Sequence, residues 1–183
     1  ARLAGIKNII WNIRYSNLEF GKAKTKTVLI INLLAKISFL IPKYIIVVSK
    51  RAKKYYAFIG YDKKKLIYIP NGYDLSILKP NKTKKINFRK KIKIKKNSFL
   101  IGKIARYDPK KDHQNLLNAL SMMKLKNLNV ICILVGYRIG KNNKVLINEI
   151  KRLKLTKFVK LLGQMDNTYE VMNALDINIL SSS

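Results

Sequence analysis

The stretch IGKIARYDPKKDHQNLLNAL, residues 101–120, decides how the chain is read. An apolar run ends on Arg106, a basic turn containing Pro109 follows, and from His113 onward apolar residues recur at helical spacing. With Phe99 and Leu100 the run is short and almost continuously apolar, as expected of a parallel strand buried on both faces. A buried strand, a loop and a helix in this order form the first part of a right-handed crossover.

The same rhythm repeats downstream. VICILVG (130–136) predicts a second strand, and residues 142–154 place Leu146, Ile150 and Leu153 on one helical face. FVKLLG (158–163) predicts a third strand, NTYEVMNAL (167–175) a helix and INIL (177–180) a fourth strand. Upstream the alternation is looser: NIIWNIR (8–14) is a strand, 26–40 a helix, YIIVVS a strand, then a helix capped by Ser49 and ending near Gly60, then LIYI (66–69). From about 73 to 98 strands are lacking and the chain is polar and basic. The pattern predicts an α/β fold of two parallel-sheet units, 1–75 and 99–183, joined by a basic interdomain segment, 76–98.

Composition constrains function less than its extremity suggests. With 39 Lys and Arg against 9 Asp and Glu the net charge is +30, a balance that ordinarily points to nucleic acid or acidic lipid. The cations are scattered among abundant Ile and Asn, the mixture an A+T-rich coding sequence produces, so charge alone assigns no partner. At 183 residues, 48% of them hydrophobic, the chain can bury a sizeable core. The single cysteine, Cys132, sits in an apolar run and is expected to fill core in a reducing compartment. Residues 28–49 are long enough to span a bilayer, but Lys36, Pro42 and Lys43 interrupt them, and a helix, a stop and a strand are expected instead. Without an initiator Met, a signal peptide or a natural stop, both ends look cut, so the chain is expected to be a fragment.

In a doubly wound sheet, ligands bind beyond the carboxyl ends of the strands. The loop 106–112 would lie there, and the helix N-terminus behind it is electropositive. Arg offers paired donors to phosphate oxygens and Lys a mobile point charge, a combination suited to a diphosphate. On spacing alone a solvated basic turn is the stronger reading. Gly136 and Gly140 after the next strand, and Asn71 in the turn PNGYD (70–74), are weaker candidates for which an ordinary turn suffices. His113 is expected behind the site or on the surface. No carboxylate pair, metal-ligand cluster or nucleophile elbow is visible.

Four segments in order, IPNGYDLSILKP (69–80), IGKIARYDPKKDHQNLLNAL, ILVGYRIG (133–140) and LLGQMDNTYEVMNALDINILSSS (161–183), resemble the signature segments of the retaining family 4 glycosyltransferases, group 1, of the GT-B fold. Residues 1–17 resemble the later part of the N-terminal domain in bacterial surface-polysaccharide members. The resemblance implies two Rossmann-like parallel-sheet units, both incomplete here: an acceptor-side domain first, then a domain holding the nucleotide-sugar donor. Arg106 and Lys111 match the family's donor-diphosphate contacts. The implied activity is sugar transfer with retained configuration from a nucleotide sugar to a glycan or lipid-linked acceptor, as in lipopolysaccharide, capsule or exopolysaccharide synthesis. The nucleotide sugar is a substrate, and no cofactor, metal or nucleic acid is expected. A cytoplasmic location follows, with a peripheral seat on the inner face of the cytoplasmic membrane as a further expectation.

The departures matter as well. Family members continue into a Glu-Gly segment and a paired-glutamate motif, so the catalytic residues are unknown here and the expected glutamates lie beyond Ser183. Many members carry a His near the donor sugar where this chain has Tyr15, and Ala105 replaces a glycine. As a fragment the chain is expected to be inactive. Two alternatives stand beside this reading: a basic nucleic-acid- or membrane-binding module, which lacks the interleaved aromatics it would need, and a non-transferase GT-B relative such as a sugar-nucleotide epimerase.

Overall fold

The computed structural model describes residues 1–14, 25–125 and 129–182. The chain divides into two compact units, Ala1–Asp74 and Leu75–Ser183.

In the first unit β1 (Ile10–Ile13), α1 (Thr25–Ile37), β2 (Tyr44–Val47), α2 (Lys50–Phe58) and β3 (Leu66–Tyr68) alternate. The strands form a parallel sheet in the order β1-β2-β3, with Ile10 opposite Tyr44 and Ile45 opposite Leu66. Ile45, Val47, Ala52, Tyr56, Tyr61 and Leu66 make its core. The Ser49 hydroxyl accepts from the Ala52 N–H at 3.0 Å, the cap expected for α2, worth about 1 kcal/mol. The apolar stretch weighed as a membrane span is split as expected. Helix α1 stops at Ile37, the Lys65 ammonium donates to the Ser38 and Phe39 carbonyls beyond it, and the chain resumes as β2. Among the described residues no helix is long and apolar enough to cross a membrane.

The second unit opens with α3 (Lys82–Lys91). It continues through β4 (Phe99–Ile104), a 3-10 turn (Pro109–Lys111), α4 (His113–Leu125), β5 (Val130–Val135), α5 (Lys144–Arg152), β6 (Val159–Gly163), α6 (Thr168–Ala174) and β7 (Ile177–Asn178). Its sheet has the order β6-β5-β4-β7, every pair parallel. Both faces are covered, which is why β4 and β5 read as continuous apolar runs. Leu116, Leu117 and Leu120 of α4 and Leu146 and Ile150 of α5 pack on Ile101, Cys132 and Leu134. Phe88 of α3 and Val171 and Ala174 of α6 pack with Leu100, Ile133 and Val135 in a second cluster. Cys132 is fully buried, as core filler should be, and burial pushes its thiol up to about 12.

Asparagine, abundant in the sequence, supplies three of the four α-helix starts of this unit. The side chains of Asn81, Asn143 and Asn167 accept from the N–H groups of Lys84, Leu146 and Glu170 at the starts of α3, α5 and α6.

The segment 76–98, expected as an interdomain piece, packs within the second unit. Phe88 is buried at 3% exposure, and Arg89 donates to the Ala174 carbonyl at 2.8 Å and to Asp176 at 2.7 Å. Asp176 also takes Lys85 at 2.7 Å and the Leu100 N–H at 2.8 Å. Burial pushes this carboxyl up, but the Leu100 N–H, Lys85 and Arg89 outweigh it and bring it to about 2. Eight of the ten residues of α3 are polar; Phe88, with Arg89 and Lys85, fixes which unit it joins.

Candidate functional site

Because its strands are all parallel, the second sheet delivers the loops after β4, β5, β6 and β7 to one edge. The crossovers run from β4 through β5 to β6 in one direction, and α6 then carries the chain back to β7 on the far side of β4. The strand order therefore reverses at β4 and β7, where an open α/β sheet leaves a crevice.

The loop after β4 is held by its neighbour. Ladder-like bonds outlast the strands: the Ala105 N–H donates to Val135 O at 2.8 Å and the Tyr107 N–H to Tyr137 O at 2.9 Å. Arg106 lies between them with its side chain 64% exposed. Asp108 then organises the turn. One carboxylate oxygen caps it by accepting from the Lys110 N–H at 3.0 Å, and the other takes Arg106 Nε at 3.2 Å. The Lys110 N–H first, and Arg106 with it, hold this carboxyl below its ordinary range. With only Nε engaged, the terminal nitrogens of Arg106 have no ion pair among the described residues. Lys110 is exposed and Lys111 half-buried.

After the turn Asp112 takes a left-handed conformation (φ 44°), which Asp tolerates better than most residues, and its carboxylate accepts from the Asn115 N–H at 3.1 Å to cap α4. Two ionisable groups are buried behind it. Lys103, 1% exposed at the penultimate position of β4, donates to the carbonyl of Lys111 and to both the carbonyl (2.8 Å) and the hydroxyl (2.6 Å) of Ser181. Burial lowers its pKa from the ordinary lysine value, with Asp112 opposing and Lys111 adding to the shift. His113, 4% exposed, packs against the Tyr107 ring with centroids 5.3 Å apart. Burial and then Lys103 bring its pKa down to about 4 against the pull of Asp112, so at neutral pH it is uncharged.

Beside this loop is an open groove of about 690 Å³, lined by Gly136, Tyr137, Arg138, Lys141, Asn142 and Gln164 among others, a size suited to a small ligand. Among the described residues no cluster of His, Cys, Asp and Glu could hold a metal ion.

Residues 84–183 match the family model for glycosyl transferases group 1, more than half of the chain. The chain belongs to the group 1 glycosyltransferases. The O-antigen biosynthesis glycosyltransferase WclY of Escherichia coli is 31% identical over 138 residues, which is 75% of this chain and 36% of that relative. The crystal structure of Anabaena HepE in complex with UDP-glucose superposes with a TM-score of 0.77 at 21% identity, over 96% of this chain and 47% of that one. The structure of WaaG, a glycosyltransferase involved in lipopolysaccharide biosynthesis, superposes with a TM-score of 0.68 at 12% identity, over 99% of this chain and 55% of that one. This group 1 glycosyltransferase thus has an α/β fold of the GT-B type and spans about a third to a half of the length of these relatives.

Of the residues singled out in its sequence, Arg106, Lys111 and Gly136 come together at the carboxyl edge of the second sheet. Asn71 belongs to the first unit and is exposed in an irregular segment, where the turn expected over 70–74 is absent and a turn begins only at Leu75, and Tyr15 lies outside the described residues. His113 is behind the site, not on the surface. Gly136 approaches the backbone of the neighbouring loop at Ala105. Reading this glycosyltransferase from sequence missed Asp108 and Lys103. Both had a signal: an Asp before Pro-Lys-Lys is a turn cap, and a lysine inside a strand buried on both faces demands partners.

Proposed function

We propose that this group 1 glycosyltransferase moves a sugar from a nucleoside-diphosphate sugar to a glycan or lipid-linked acceptor with retained configuration, in the synthesis of a surface polysaccharide, and that its second unit holds the donor. The observation that carries this reading is the turn after β4. It presents Arg106 and Lys111 at the edge where the strand order reverses, with Arg106 oriented by Asp108. Among the described residues Arg106 pairs only through Nε with Asp108, and Lys111 has no ion pair.

Transfer breaks the bond between the anomeric carbon and the diphosphate oxygen. The sugar gains oxocarbenium character while negative charge grows on the departing nucleoside diphosphate. Cations already in place on those oxygens bind that charge more tightly in the transition state than in the ground state, which is what raises the rate. The nucleoside end of the donor extends toward the groove beside Gly136, whose wall begins one loop away from Arg106. Anabaena HepE is bound to UDP-glucose in its structure, which supports a nucleotide sugar as the donor class. The matched E. coli relative acts in O-antigen biosynthesis, which supports a polysaccharide acceptor. A cytoplasmic enzyme seated peripherally on the inner membrane face fits a lipid-linked acceptor, and failure to sediment with anionic liposomes would reject that seat.

The test is titration of the full-length protein with UDP, GDP and ADP, before and after Lys111→Ala. Weaker binding and slower transfer are expected; unchanged affinity with unchanged turnover overturns the assignment.

A further inference from the structure

Lys103 makes no use of its charge in that reading, yet it is the buried cation nearest to it. A lysine buried near the end of a strand covered on both faces is costly unless its ammonium is satisfied, because desolvation penalises the charged form. Here the three N–H groups of the ammonium face four oxygens: the Lys111 carbonyl, the Ser181 carbonyl and hydroxyl, and, at 3.5 Å, the Asp112 carbonyl. The Ser181 hydroxyl in turn donates to the Asp112 carbonyl at 3.2 Å. These acceptors belong to two different loops, the one after β4 and the one after β7, which flank the reversal of strand order. Among the described residues no ladder bond joins the two loops there, since the last pairing of β7 with β4 is Asn178 opposite Gly102, followed only by Ile179 N–H to Gly102 O. Without a cation between them, carbonyl and hydroxyl oxygens would converge with their negative ends together.

We propose that Lys103 is a positioning residue for donor binding: it holds the backbone of Lys111 against Ser181, so that the Lys111 ammonium meets the donor diphosphate in one fixed geometry although Lys103 itself never touches the donor. This rests on the reading of Lys111 as a diphosphate contact. A point charge with three donors suits several oxygens approaching from two loops, and no neutral aliphatic side chain supplies it.

The experiment is a double-mutant cycle on the full-length protein, using whichever of UDP, GDP and ADP binds best, and the matching nucleoside. Lys103→Met keeps an unbranched chain, one atom shorter, and removes the charge; it is expected to weaken the diphosphate about tenfold, and the nucleoside less than about twofold. Added to Lys103→Met, Lys111→Ala is expected to cost less than about a third of the factor it costs alone, because Lys103 acts through Lys111. Equal weakening of nucleoside and diphosphate, full multiplication of the two effects, or unchanged diphosphate affinity in Lys103→Met would each overturn the inference. If Lys103→Met does not fold, Ser181→Ala carries the same cycle with an expected weakening of about threefold, and an unchanged affinity there overturns it equally. Lys111→Ala alone separates the two levels: if it leaves diphosphate binding unchanged, the donor reading fails and this inference fails with it, whereas a lost contact at Lys111 without coupling to Lys103 rejects this inference alone.

Discussion

Gly136 and Ala105 meet backbone to backbone: a Cβ placed on Gly136 would lie 2.2 Å from the Ala105 carbonyl oxygen and 3.0 Å from the Arg106 nitrogen. Gly136 also has φ +146°, a region L side chains rarely adopt, and its N–H donates to Gly163 O at 2.8 Å. Gly136→Ala therefore forces the backbone at Arg106 to move. A loss of at least about 2 kcal/mol of stability is expected, together with weaker nucleoside diphosphate binding. Thermal unfolding and titration of the same variant check both, and a fully stable variant with wild-type binding would show that the close approach is unimportant.

Lys110 and Lys111 are adjacent and alike in sequence but differ in setting, one exposed and the other half-buried with its carbonyl held by Lys103. Lys111→Ala is expected to slow transfer by about a hundredfold, on the order of 3 kcal/mol of transition-state binding, and Lys110→Ala by less than about twofold. Steady-state kinetics on the full-length enzyme read the difference directly.

Asp108 divides its two oxygens between the turn and Arg106. Asp108→Asn keeps an acceptor for the Lys110 N–H and gives up the ion pair, whereas Asp108→Ala gives up both. Donor binding is expected to weaken modestly in the first and clearly further in the second. Equal effects would mean that the cap alone matters.

His113 makes stability depend on pH in a defined window. Its pKa falls from 6.5 in the unfolded chain to about 4 in the fold, with Lys103, Asp112 and the Tyr107 ring around it. Between these values the unfolded chain binds a proton that the folded chain refuses, so stability is full above pH 6.5 and drops as pH falls toward 4, by up to about 3 kcal/mol. Glu149, held at about 2 by Arg152 and Gln114, and Asp176, also at about 2, lose their stabilisation only at lower pH. Urea unfolding at intervals from pH 7 to 4.5 is expected to show the slope in the wild type and a flatter line in His113→Leu.

Phe88 decides whether α3 is a linker or part of the second unit. In a linker Phe88→Ala would cost nothing measurable; in the packing seen here it is expected to cost about 3 kcal/mol. Chemical denaturation reads this outcome.

The strands and helices were legible because each buried segment carries its own period: FLIGKIA and VICILV are continuous runs, and Leu146 and Ile150 fall one helical turn apart. Edges were less legible. The fourth strand expected over 177–180 is only Ile177–Asn178: the apolar run continues to Leu180, but pairing with β4 ends at Gly102, and where pairing ends is not written in local spacing. The placing of 76–98 escaped for a related reason, since Phe88, with Arg89 and Lys85, carries its attachment among many solvated lysines.

By itself the sequence determined the alternation of elements, the parallel second sheet and the loop that brings Arg106 and Lys111 to its carboxyl edge, since all of these follow from local spacing. Only the tertiary structure decided what that loop leans on. Gly136 against Ala105, Asp108 against Arg106, and Lys103 between Lys111 and Ser181 join residues whose pairing depends on which strands lie side by side. Strand order is set by packing across the whole sheet, and no local pattern encodes it.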